Sequence, residues 1–196
     1  YGIKVSSFNI IGCPGETREN VFETIELNRK LKVSSCNVYI MFPYPGTPIQ
    51  IESKLPIRDK DGKLFKVSEA KNLGISKMTP DELEGMYKTF NIYLYLPKSL
   101  WPVVELAEKR ENWGEMFNKL KSLSVEFLSD QIEEIELDEN QTKIISNKIP
   151  KRLHDIYVDS TGRNKTIILN SINSYLEEKK VLNISLKKPS LQTIAN

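Results

Sequence analysis

The sequence predicts an α/β fold built on parallel strands, and three consecutive stretches predict it. Residues 3–11 are rich in β-branched side chains and run into the turn cluster Gly12, Cys13, Pro14 and Gly15, the pattern of a strand ending in a tight loop. A helix follows, with Thr17 as its N-cap, Glu19 in the first turn where the helix dipole favours a carboxylate, and Val21, Ile25, Leu27 and Leu31 at helical spacing. The short apolar run 36–42, closed by Pro43, Tyr44, Pro45 and Gly46, then reads as a strand covered on both faces. Strand, helix and strand within about 40 residues make a βαβ unit. Such a unit cannot bury both faces of its strands by itself, so it belongs to a larger sheet or barrel.

Beyond the second strand, residues 48–78 carry scattered charges and an Asp61-Gly62 turn signal, and read as a long loop on the side of the earlier turns. The next helix is announced by Thr79, Pro80 and Glu82: a hydroxyl cap, proline at the first helical position, and an acid three residues after the cap. It continues through Met86, Phe90 and Tyr93 and ends before Pro97. Another helix begins near Pro102 with Val103, Val104 and Leu106. One more follows Trp113 and Gly114, with Met116, Leu120, Leu123 and Phe127 as its core stripe.

Composition bounds the function. The chain has 196 residues, of which 39% are hydrophobic, enough for a buried core and too many for a wholly disordered chain. It contains no membrane-spanning apolar run and no leader-like start, so it reads as a cytoplasmic protein. Cys13 and Cys36 are its two cysteines, and two thiols alone make neither a tetrathiolate nor a three-cysteine cluster site. The sequence opens at Tyr1 directly into a strand-like stretch and is therefore expected to be a fragment whose N-terminal part is missing. Residues 125–140 carry seven acids and no Lys or Arg, the mark of a linker or an exposed helix end. Residues 141–196 then hold 10 Lys and Arg against 4 Asp and Glu, a net charge of +6 in a chain whose total is +2. Three regions are expected: 1–100, a helical extension with acidic linker over 101–140, and a basic strand-helix-helix tail over 141–196.

Each proline-glycine turn follows the C-terminal end of a predicted strand, and in parallel α/β folds those ends line the ligand site. In the first turn the glycines let backbone approach a ligand closely, and the helix start supplies amide donors. The string from Phe8 to Thr17, a helix, and then Met41 to Thr47 resembles the later strands of the radical S-adenosylmethionine (SAM) barrel, notably in enzymes with an N-terminal cobalamin-binding domain; methylthiotransferases carry a similar pair of turns. The resemblance covers about residues 1–100. The family usually has Leu or Phe where this chain has Cys13.

The resemblance implies a partial TIM-type (β/α) barrel, its last strands and helices followed by a mostly helical C-terminal region. It implies SAM and a four-iron four-sulfur cluster as cofactors of the complete protein, with cobalamin a further candidate, and a missing N-terminal part of the same protein as the partner that brings the cluster cysteines. Carried onto this chain, Gly12, Pro14, Gly15 and Glu16 would seat the adenosyl group, Tyr39, Met41 and Phe42 would flank the adenine, and Tyr44 would face substrate. Alone, the chain lacks the cluster cysteines and is not expected to be active. Glu16 reads equally as an acid answering the helix dipole, Cys13 and Cys36 as small buried thiols, and His154 has no triad partner at suggestive spacing.

Residues 145–150 alternate in strand fashion, and two helical stretches follow, the second carrying Ile168, Ile172, Tyr175 and Leu176. This order resembles ribbon-helix-helix DNA-binding regulators, in which a strand pairs with its twin and enters the major groove. That resemblance would point Ser146 and Lys148 at bases, set Asn164, Lys165 and Thr166 near phosphate, and turn Ile145 and Ile149 inward. The first helix reads about one turn shorter than that family's. The alternative is a basic helical hairpin packed on the barrel or left mobile. Three functions are thus carried forward: part of a radical SAM enzyme, a DNA-contacting tail, and a helical interaction platform over 80–130.

Overall fold

The computed structural model describes residues 3–52, 54, 58–132, 134–136 and 148–187. It is a mixed α/β chain, mostly helical, with two small sheets among the described residues. No helix among the described residues is long and apolar enough to cross a membrane. Two compact units divide it: one holds residues up to Tyr95 together with Ala107–Trp113, the other Leu96–Leu106 and everything from Gly114 onward.

The first unit begins with β1 (Ser6–Ile11), α1 (Arg18–Leu31) and β2 (Ser35–Ile40). The strands pair in parallel from Ser6 opposite Ser35 to Ile11 opposite Ile40. Amide bonds from Ser34 to Val5 O and from Met41 to Ile11 O, both 2.8 Å, extend the pairing at each end. The βαβ unit therefore forms as its pattern predicts. Thr17 caps α1 by accepting from the Asn20 amide while the Asn20 side chain accepts from the Thr17 amide, the reciprocal satisfaction of a capping box.

Side chains alternate across this sheet, and only one face is covered. Ile11 and Cys36 are buried on it, and α1 contributes Val21, Ile25 and Asn28 to the same interior. Leu27 and Leu31, expected in the stripe, are instead exposed. Asn28 takes the inward position because it has partners there: its Nδ2 donates to Asn9 Oδ1 at 2.9 Å and to the Thr24 carbonyl at 2.8 Å. On the other face Phe8, Ile10 and Tyr39 are 73%, 59% and 52% exposed. The expectation that the second strand is covered on both faces is thus corrected, because Asn37 and Tyr39 alternate outward from Cys36, Val38 and Ile40.

The stretch read as one long loop contains local order. Pro48 opens a short α2 (Pro48–Glu52), Arg58 bridges Leu64 around an Asp59-braced turn, and a 3-10 segment runs over Val67–Leu73. Helix α3 (Pro80–Tyr95) starts where its cap signal predicts, with Thr79 and Glu82 bonded reciprocally, and buries Leu83, Met86, Phe90 and Tyr93. Glu108, at the end of α4 (Trp101–Glu108), takes Arg18 in a bidentate pair at 2.6 and 2.7 Å and accepts the Tyr93 hydroxyl. That pair ties the start of α1 to the far end of the unit.

The second unit packs α5 (Glu115–Ser129), α6 (Lys151–Asp159) and α7 (Gly162–Lys187) around Leu120, Leu123, Leu153, Ile156, Ile168 and Ile172. Within the acidic stretch read as linker, α5 continues to Ser129 and β3 (Glu134–Glu136) forms. It pairs antiparallel with β4 (Lys148–Pro150), Glu136 opposite Lys148. One edge of β4 is therefore occupied by this same chain, where the ribbon-helix-helix resemblance would pair the strand with its twin.

Candidate functional site

The first turn is closed by its own side chain. Gly12 and Gly15 adopt φ of +83° and +74°, the left-handed region open to glycine. That path brings the Gly12 and Cys13 amides toward Glu16 Oε2, which accepts from both, the second at 3.1 Å. The turn is further stitched to residues 75–77, with Gly15 N to Ile75 O at 3.4 Å and Lys77 N to Glu16 O at 2.9 Å. Pro14 and Gly15 are exposed, Gly12 is buried and Glu16 half-buried. Burial raises the Cys13 thiol above its ordinary pKa, and the Glu16 charge adds to that effect. Cys36 is raised by burial too, while Asn9 Nδ2 donates to its sulfur at 3.1 Å.

The second turn opens onto a cavity of about 530 Å³. Its lining starts at the C-terminal ends of the parallel strands, with Ile10, Tyr39, Met41, Phe42 and Tyr44. Phe42 and Tyr44 meet edge to face with ring centroids 5.1 Å apart. The 3-10 segment supplies Ala70 and Lys71, and α3 supplies Glu84 and Tyr87. Lys71 Nζ pairs with Glu84 Oε2 in this wall, the two side chains 21% and 18% exposed. The cavity is of the size and mixed lining that small-molecule sites have, aromatic walls with few polar groups. Such walls stack on a planar ring, and the ion pair offers hydrogen bonds at its rim.

The structure thus gathers Tyr39, Met41, Phe42 and Tyr44 in one cavity and leaves Gly12, Pro14, Gly15 and Glu16 outside its lining. Lys71, Glu84 and Tyr87 were not anticipated. Nothing in local spacing joins a 3-10 segment to the second turn of a helix; the Thr79 cap, which fixes where α3 begins, is the nearest sequence signal. No group of three or more His, Cys, Asp or Glu among the described residues could hold a metal. With two cysteines, one beneath the sheet, these residues do not fit an iron-sulfur cluster.

In the second unit Asn164 and Lys165 lie in the first turn of α7 and Thr166 begins the second, and Lys165 Nζ lies 4.7 Å from the Tyr157 ring centroid. Lys148 is exposed on β4, Ile149 is fully buried as expected, and Ser146 and Ile145 lie outside the described residues. His154 is half-buried with Asp155 Oδ1 at 3.8 Å.

Comparison with known proteins gives local likenesses. The chain is 32% identical over 69 residues to the tRNA-2-methylthio-N(6)-dimethylallyladenosine synthase of Bifidobacterium longum, covering 34% of this chain and 14% of that enzyme. It is 46% identical over 46 residues to the Rickettsia canadensis synthase of the same name, 24% of this chain and 10% of the enzyme. The Bacillus licheniformis synthase is 35% identical over 77 residues, 39% of this chain and 15% of the enzyme. The matches thus span 10 to 15% of the length of these curated relatives. The synthase is a radical SAM enzyme, and related radical SAM enzymes use SAM and a four-iron four-sulfur cluster. Neither the cobalamin-associated class nor the ribbon-helix-helix module finds support. No protein-family model matches the chain, and no solved structure matches it.

Proposed function

We propose that this chain supplies late strands of a radical SAM barrel, in a longer protein that modifies a tRNA nucleoside. The observation that carries the reading is the bare apolar face of the β1–β2 pair beside an aromatic cavity at the strands' C-terminal ends. Parallel strands are found covered on both faces, so Phe8, Ile10 and Tyr39 need a counterpart, and closure into a partial TIM-type barrel provides one. In that closed form they face the interior, and the cavity lies at the rim where parallel barrels bind ligands.

Local similarity to the tRNA-modifying synthases supports the same reading. Tyr39, Met41 and Phe42 then form the seat of the adenosyl ring of SAM, Tyr44 faces substrate, and the Glu16-braced turn positions the strand end. The cluster, which supplies one-electron cleavage of SAM when bound, rests on cysteines contributed by the partner segment. The first test is the coding region ahead of Tyr1. A string of three closely spaced cysteines is expected there, and the chain extended through it should incorporate iron and sulfide and release 5′-deoxyadenosine from SAM. Absence of such a string, or an extended chain that takes up no iron, overturns the reading.

A further inference from the structure

Among the described residues that line the cavity, two side chains carry formal charge, and they pair with each other. Lys71 comes from the 3-10 segment, Glu84 from the second turn of α3, and their charged ends are paired with about a fifth of each side chain exposed. The rest of the lining is apolar or aromatic, with the Ser68 hydroxyl and tyrosine hydroxyls as its other side-chain polar groups. A lone ammonium in such a wall would attract anions, because the apolar side chains beside it focus its field. With the carboxylate alongside, the field collapses to that of a short dipole. An anion approaching Lys71 then meets the Glu84 charge at nearly the same distance, whereas an uncharged ring stacks on the tyrosines and bonds to the pair without disturbing it.

We infer that Glu84 sets the charge selectivity of this cavity, so that it accepts an uncharged planar ring and refuses a phosphorylated one. The inference rests on the reading of the cavity as a nucleoside seat and adds a specificity-determining residue to it. The Lys71–Glu84 pair also pins the 3-10 segment as a wall, with Ala70 buried beside it. Loss of either charge therefore changes selectivity at a position that no turn motif reaches.

The test compares adenosine with adenosine 5′-monophosphate, titrated into the full chain with tyrosine fluorescence and ligand-observed NMR as readouts. The wild-type chain should bind adenosine about tenfold more tightly than the monophosphate. In Glu84→Gln the uncompensated Lys71 should erase or invert that ratio, through a gain of monophosphate affinity larger than the change in adenosine affinity. The double variant Lys71→Met with Glu84→Gln should restore the preference for adenosine. Should Glu84→Gln fail to fold by circular dichroism, Lys71→Met alone decides, since it should weaken the monophosphate by a larger factor than adenosine and so widen the ratio. If both ligands bind and no variant alters their ratio, the inference is overturned and the nucleoside seat stands. If neither ligand binds the wild-type chain, the seat itself is overturned and the inference with it.

Discussion

Gly12 meets two constraints at once. Its φ of +83° disfavours any side chain, and an added Cβ would sit 3.0 Å from Leu83 Cδ2 and 3.6 Å from Ile40 Cγ2. Gly12→Ala should therefore lower stability by about 1–3 kcal/mol, read as a fall in thermal midpoint; an unchanged midpoint would mean the turn relaxes freely. Beside it, burial and then the Glu16 charge raise the Cys13 thiol. Its alkylation rate should climb only above the ordinary thiol value of 9.0 and return to that value in denaturant. A native profile that matches the denatured one would contradict this. At this scale the glycines were legible because turn chemistry is local. Glu16's bond to the Gly12 amide was not, since it depends on how the turn folds back over four residues.

Helix starts were the most legible elements, because a cap is written within four residues. At α3, hydrogen bonds from the Thr79 amide and hydroxyl hold the Glu82 carboxyl below its ordinary 4.5. A carboxyl depressed in the folded state contributes stability above its unfolded pKa and loses it as pH falls through the folded value. The thermal midpoint should therefore decline below pH 4.5 with a contribution from Glu82 that disappears in Glu82→Gln. Equal slopes in the two proteins would remove that contribution. Helix faces were less legible than helix starts. Asn28 buries where leucines were expected because Asn9 on β1 meets it, a partner 19 positions away that periodicity cannot announce. The two short helical pieces within 48–78 were missed for a related reason: helices of five and seven residues carry too few turns to show a period.

The whole chain presents Phe8, Ile10 and Tyr39 as one apolar sheet face, larger than scattered surface hydrophobes require. Left bare, it should drive self-association. Phe8→Ser combined with Ile10→Ser should give a less aggregation-prone chain whose thermal midpoint moves by no more than about 2 °C, as surface changes do. A large loss of stability would mean the face is already covered. The parallel βαβ unit was readable from a strand, a capped helix and a second strand in succession. The cavity was readable only in half: its strand-end wall follows from the turn at Pro43 to Gly46, whereas Lys71 and Glu84 meet through tertiary packing alone.

Hydrogen exchange at the β1 and β2 amides, followed in the chain alone and in the same chain extended through the proposed upstream segment, tests barrel completion most directly. Added strands should slow exchange at the edge amides about tenfold or more, and side-chain oxidative labelling of Phe8 and Tyr39 should fall with it. Unchanged exchange and labelling, with α1 and α3 still protected in both forms, would contradict the account.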